Sequence, residues 1–299
     1  MKCRMCPRRC GADRENGERG VCGAGRGIAV ARVMLHPWEE PCLTARGAAG
    51  AVFFSGCPLG CVYCQNRAIS RPRPDGSLAG ETWDEERLAG AFLSLQAAGA
   101  GCIDLVSPTQ YARQILAALG AVKARLTIPV VWNTGGYETP ETVAACAGLV
   151  DIFLTDMKYG TAEPAARYSR APDYPRAALA ALAEMVRQTG APVWDGDALV
   201  RGVIVRHLIL PGGRHDSEAA LAAAARTVAP ETVILSLMRQ YTPDFAPPEE
   251  KALRRRVTTF EYECVREAAL RLGFSGYGQE ASSARAQYTP DFPGENSVN

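Results

Sequence analysis

From about residue 50 onward the chain alternates between two hydrophobic patterns. Short runs rich in β-branched and aromatic residues give way to Ala- and Leu-rich stretches with helical spacing. That alternation marks βα units around a parallel sheet. It predicts strands over 51–55, 102–107, 128–132, 150–156, 199–208 and 232–237. Helices are predicted over 110–125, 140–147, 175–189, 217–228 and 258–272, with another carrying Leu88, Phe92 and Leu95. Thr82 with Glu85, and Thr258 with Glu261, read as capping boxes. Pro140 and Pro175 sit where a first-turn proline is tolerated. The six strands predict an α/β fold, a partial (β/α)6 TIM-like barrel over 51–290 that is open on one side. Sites in such barrels gather at the carboxyl ends of the strands.

The pattern changes toward both ends. Residues 1–27 are rich in glycine, arginine and cysteine and carry too little apolar surface for a core, so they read as a small metal-held module. Residues 28–50 read as an extended arm, with Val30, Val33 and Leu35 apolar and a proline-bounded turn at 36–41. Residues 240–256 and 279–299 are loop-like, with 291–299 as a tail, and Gln-Tyr-Thr-Pro-Asp-Phe occurs at both 240–245 and 287–292. One recurrence is not a structural period.

Composition narrows the partners. A formal net charge of +1 over 299 residues gives no electrostatic footprint for nucleic acid. No apolar run approaches the length of a membrane span. The first residues, Met1-Lys-Cys-Arg-Met-Cys, lack the apolar core of a signal peptide. These features predict a soluble cytoplasmic protein, where disulfides are the wrong explanation for eleven cysteines.

Seven of those cysteines fall in two clusters. Cys57, Cys61 and Cys64 are spaced C-x3-C-x2-C directly after the first predicted barrel strand. Three thiolates can hold three irons of a 4Fe–4S cluster and leave the fourth open to a small molecule; a zinc site borrowing a distant ligand is the alternative. Cys3, Cys6, Cys10 and Cys22 form C-x2-C-x3-C-x11-C, which suits either a closed zinc site or an auxiliary 4Fe–4S cluster. Of the rest, Cys102 and Cys146 lie in apolar contexts and read as core.

The first cluster, with Tyr63 just before its last cysteine, resembles the signature of the radical S-adenosylmethionine (SAM) superfamily. The resemblance implies that SAM chelates the open iron through its amino and carboxylate groups. SAM is then cleaved reductively to methionine and a 5′-deoxyadenosyl radical, which abstracts a hydrogen from a substrate. Such chemistry needs SAM pinned at the strand ends. Ser107 and Thr109 follow the second predicted strand, and Asn133-Thr134-Gly135 the third, where an ordinary βα turn is the alternative. Asp156 and Lys158 end the fourth at i and i+2, so both face one side. Arg206 and His207 end the fifth; Arg206 suits a carboxylate or ribose, while His207 reads first as a hydrogen-bonded barrel histidine and only second as a catalytic one.

The order Gly-Cys-x3-Cys-x2-Cys-Gln-Asn, Asn-Thr-Gly-Gly-Tyr, Asp-Met-Lys and Val-Arg-His-Leu-x-Leu-Pro-Gly is similar to glycyl-radical-enzyme activases, specifically the pyruvate formate-lyase activating enzyme-like branch with an N-terminal cysteine module. The resemblance spans roughly residues 1–290. It implies SAM contacts from Asp156, Lys158 and Arg206, an electron donor such as flavodoxin or ferredoxin, and a glycyl radical enzyme or peptide as substrate. Two departures stand out. Asn133 occupies the position of a family aspartate that helps bind a cation beside SAM, and Ser107-Pro-Thr109 replaces a glycine-glycine-glutamate segment.

Overall fold

The computed structural model describes residues 2–279. The 291–299 tail, the end of the 51–290 unit and the second Gln-Tyr-Thr-Pro-Asp-Phe lie outside the described residues. Ten strands form the sheet: β1 (Ile28–His36), β2 (Ala49–Phe54), β3 (Glu81–Trp83), β4 (Cys102–Val106), β5 (Val130–Thr134), β6 (Ile152–Asp156), β7 (Val193–Asp195), β8 (Ala198–Leu208), β9 (Ile234–Met238) and β10 (Gly276–Gly278). Their order is β10-β9-β8-β6-β5-β4-β2-β1-β3, with β7 paired to β8 alone. All pairings from β2 through β10 along that order are parallel, and β1 joins β2 and β3 antiparallel.

The helices follow the strands: α1 (Pro41–Thr44), α2 (Arg67–Ser70), α3 (Glu85–Ala97), α4 (Ala112–Val122), α5 (Pro140–Ala144), α6 (Ala162–Ser169), α7 (Tyr174–Thr189), α8 (Arg214–Thr227) and α9 (Thr259–Arg271). Thr258 and Glu261 do form the capping box of α9. The box expected at Thr82 is absent. Thr82 pairs with Ala29 in the β1–β3 ladder, and Asp84 caps α3 by accepting from the Arg87 N–H. The segment read as an arm is extended but not free, because β1 is a sheet strand that pairs with β2 over most of its length.

Alternation along the parallel strands separates two faces. On the outer face Val52, Phe54, Ile103, Leu105, Val130, Trp132, Val203 and Val205 pack against the helices in the main core. On the inner face Ala49, Cys102, Val131, Ile152, Leu154, Ile204 and Ile234 form a separate cluster that Cys42 and Leu43 of α1 cover. Pro41 at the first turn of α1 fixes that crossing. Above this apolar layer, toward the strand carboxyl ends, the inner face turns polar. Among the described residues no helix is long and apolar enough to cross a membrane.

Candidate functional site

The three-cysteine loop leaves the carboxyl end of β2 through Gly56, whose φ of +84° is the left-handed region that favours glycine. A Cβ there would lie 2.5 Å from the Cys22 carbonyl, so the N-terminal module packs directly on the loop. Gln110, missed from sequence, braces the turn by donating to the carbonyls of Ser55, Gly56 and Ser107 at 3.2, 2.8 and 2.8 Å. Cys61 is buried and Cys57 and Cys64 are half-buried. Burial, then the neighbouring Cys61, pushes the Cys57 thiol up to about 12, and burial likewise raises Cys64. Such thiols ionise only against a compensating charge. Lys158 supplies part of it, since its ammonium interacts electrostatically with Cys61 and Cys64. The Ser169 hydroxyl donates to Cys61 Sγ at 3.0 Å.

Beside the loop lies a charged row. The register sets Asp156 of β6 opposite Arg206 of β8, and Arg206 opposite Ser236 of β9. Arg206 Nε donates to Asp156 Oδ1 at 3.1 Å and its Nη2 to Asn133 Oδ1 at 2.6 Å. Its Nη1 stands 3.7 Å from Glu39 Oε2. Lys158 Nζ donates to Asp156 Oδ2 at 2.5 Å. Burial alone would raise Asp156, but Lys158 and Arg206 outweigh it and hold the carboxyl below its usual range. Asn133 Nδ2 reaches Asp104 Oδ2 at 3.3 Å; burial and then Glu39 raise the Asp104 carboxyl far above its usual range. Glu39 and Asp104 carry no sequence motif and were missed. The row faces a cavity of about 400 Å³ lined by Glu39, Glu40, Gln65, Asn66, Asn133 and Arg206 among others. Lys158 faces a second of about 300 Å³ beside Gly212 and Gly213.

Other candidates sit differently. Ser107 adopts φ +58°, costly for a non-glycine residue, at the carboxyl end of β4. Gly135 approaches both Lys158 and the cysteine loop: a Cβ there would stand 3.6 Å from Lys158 Cε and 3.0 Å from Leu59 Cδ1. Thr109 and Thr134 lie away from the charged row. Their hydroxyls both donate to Glu138 Oε1, that of Thr109 at 2.6 Å. Glu138 is fully buried and its Oε2 has no partner, so burial raises its carboxyl. His207 occupies the face of β8 opposite Arg206, with Nδ1 2.5 Å from the Met157 carbonyl and a buried Nε2 that lacks a partner.

The N-terminal cysteines converge. Cys3, Cys6, Cys10 and Cys22 line one small cavity of about 10 Å³ together with Arg8, Arg14 and Pro58. Among the described residues, no three Cys, His, Asp or Glu side chains are drawn to the spacing of ligands on one metal ion.

Comparison with known proteins decides the fold. No family model matches the sequence. An uncharacterized protein of Methanocaldococcus jannaschii is 28% identical over 272 residues, covering 89% of this chain and 74% of its own. A radical SAM methyltransferase from Sphaerobacter thermophilus superposes with a TM-score of 0.52 at 14% identity, over 77% of this chain and 65% of that chain. The fold is shared with radical SAM enzymes. Methylornithine synthase (PylB) gives a TM-score of 0.49 at 16% identity over 75% of this chain and 61% of that one. The chain therefore spans less than two thirds of either solved structure.

Proposed function

We propose that the chain is a radical SAM enzyme with a 4Fe–4S cluster on Cys57, Cys61 and Cys64. The observation that carries this is the three-thiol loop at the carboxyl end of β2, flanked by Lys158 and Ser169, in a fold shared with radical SAM enzymes. The donor set fits the group. Three soft sulfurs share one loop, Cys61 accepting from Ser169 and both Cys61 and Cys64 interacting with the Lys158 ammonium, and thiolates on different irons need not crowd as ligands of one ion do. Such a cluster, when bound, supplies the electron that cleaves SAM to methionine and a 5′-deoxyadenosyl radical. The chain's own part is binding and exclusion of water. Asp156, fixed by two cations, accepts a ribose hydroxyl or amino group without reorganising. Lys158 and Arg206 hold the SAM carboxylate, and the 400 Å³ cavity beside them admits the substrate.

The finer reading is an activase that takes hydrogen from a glycine of a partner glycyl radical enzyme, with a flavodoxin or ferredoxin as electron donor. The order of motifs after β2 supports it. A peptide- or small-molecule-modifying enzyme remains the alternative, favoured if the N-terminal cysteines hold a second 4Fe–4S cluster rather than zinc. Metal analysis of a variant with Cys57, Cys61 and Cys64 replaced by alanine reads that directly. The deciding experiment is 5′-deoxyadenosine formation by anaerobically reconstituted, dithionite-reduced protein given SAM. Product that disappears with Cys61→Ala supports the reading. A fully loaded cluster whose paramagnetic signal SAM does not perturb, and which makes no product, refutes it.

A further inference from the structure

Behind the three-cysteine loop, three hydroxyls form a file. Tyr63 Oη lies 2.9 Å from Tyr159 Oη, Tyr159 Oη 2.7 Å from Ser169 Oγ, and Ser169 Oγ 3.0 Å from Cys61 Sγ. All four residues are buried, Tyr159 and Ser169 completely. Each hydroxyl has one proton to give. If Ser169 gives its proton to sulfur, its oxygen accepts from Tyr159, and Tyr159 in turn accepts from Tyr63. The file then runs in one direction with sulfur as its terminal acceptor. Run backwards, it would end on the Tyr63 proton, for which the structure offers no acceptor among the described residues. A permanent thiolate at Cys61 selects the forward order.

The file is also held in place. Ser169 ends α6, and Arg170 after it takes the left-handed conformation at φ +50°. Arg8 of the N-terminal module donates to the carbonyls of both residues, to that of Ser169 at 2.8 Å. The Val62 N–H donates to the Tyr168 carbonyl at 2.9 Å, tying the same turn to the cysteine loop. Tyr159 stands edge-on to Tyr174 with centroids 5.3 Å apart.

We infer that Tyr63, Tyr159 and Ser169 are a directed hydroxyl relay that sets the reduction potential of the cluster at Cys61. The inference rests on the reading of Cys57, Cys61 and Cys64 as a 4Fe–4S site. Hydrogen bonds to cluster sulfurs favour the reduced, more negative state, and hydroxyls in series polarise one another, so the last bond is stronger than a lone serine's. Ser169 is thus a positioning residue that acts through sulfur and touches no substrate.

The test is a redox titration of the reconstituted full-length protein. Dithionite supplies the electron, and the signal followed is the one SAM perturbs, so iron on the N-terminal cysteines does not enter. Ser169→Ala shifts the midpoint to more negative potential. Tyr159→Phe shifts it less in the same direction, and Ser169→Thr restores it, all at unchanged iron content and far-UV circular dichroism. A Ser169→Ala midpoint equal to wild type at full loading overturns the relay and leaves the cluster reading standing. Wild-type protein that binds no cluster on Cys57, Cys61 and Cys64 overturns both. Should Ser169→Ala fail to fold, unchanged midpoints in Tyr159→Phe and Tyr63→Phe overturn the relay.

Discussion

Arg8→Ala tests whether the N-terminal module is fastened to the cysteine loop or merely rests on it. The guanidinium donates to Pro58 O at 2.9 Å, to Ser169 O at 2.8 Å and to Arg170 O, and lies over the Tyr137 ring at 5.4 Å. Pro58 belongs to the loop and Ser169 to the end of α6, so one side chain spans three parts of the fold. The two bonds to Pro58 and Ser169 are part-buried, and a charged donor at a half-exposed site contributes about 1.5 kcal/mol each, the low end of its range. Against their sum of about 3 kcal/mol, the freed arginine side chain regains about 1.5 kcal/mol of rotamer entropy. The net loss of about 1.5 kcal/mol is a little over tenfold in the docking equilibrium. Hydrogen exchange reads that equilibrium amide by amide. Protection at Cys3 and Gly11, whose N–H groups bond within the module, should fall roughly tenfold by the same conversion, and Val62 in the loop should follow in part. Leu272, bonded to Ala268 O behind α9, should not change. Arg8→Lys should recover less than half, because one ammonium cannot span three carbonyls. Unchanged exchange at Cys3 and Gly11 in Arg8→Ala would refute the strut.

Three further outcomes follow from the same geometry. Glu138 is raised above its ordinary value by burial, so the stability of the wild type is highest where it is protonated and is lost as pH rises through its folded value. Glu138→Gln should therefore match wild type near pH 4 and grow more stable than it above about pH 4.5; urea midpoints across that range check it, and a pH-independent difference counts against the burial. Arg206→Leu leaves Asp156, Asn133 and Glu39 without their shared donor. It should cost about 3 kcal/mol, in part recovered by adding Asp156→Asn, as read from denaturant unfolding at pH 7. Gly56→Ala places a methyl against the Cys22 carbonyl at a left-handed φ. It should lower Tm by several degrees and reduce the iron taken up on reconstitution; full loading at wild-type Tm would show that the module yields.

What was legible in the chain was local. The strands with β-branched runs appear within two residues of where periodicity put them: β2 starts two residues early at Ala49, and β5, β6 and β9 start two late at Val130, Ile152 and Ile234. The strands β3, Glu-Thr-Trp, and β10, Gly-Tyr-Gly, carry no apolar run and owe their place to partners, Ala29 and Ser236 among them. The helix α6 is short and polar, and its sequence carries no apolar period that predicts it. The same split governs the site. The cysteine spacing is a feature of eight consecutive residues and needed no structure. Glu39, Gln110 and Ser169 act across the chain, Ser169 on a cysteine 108 residues away, and no spacing rule reaches that far.

Strand period also divides the candidates. Adjacent residues on a strand face opposite sides, so Asn133 and Thr134 cannot serve one cavity from within β5, nor Arg206 and His207 from β8. The observed contacts follow that division. Asn133, Asp156 and Arg206 share hydrogen bonds on the inner face, where Lys158 also pairs with Asp156. Thr134 turns outward with Thr109 to the buried Glu138, and His207 outward to the Met157 carbonyl. The inner group holds fixed charge beside the cysteine loop and is equipped to bind an ionic ligand. In the outer pair, each with one unpartnered atom, burial disfavours the charged form, raising the Glu138 carboxyl and lowering the His207 ring. On the proposed reading, an ionic ligand at the strand ends is better met by the inner face, where Arg206 and Lys158 flank Asp156.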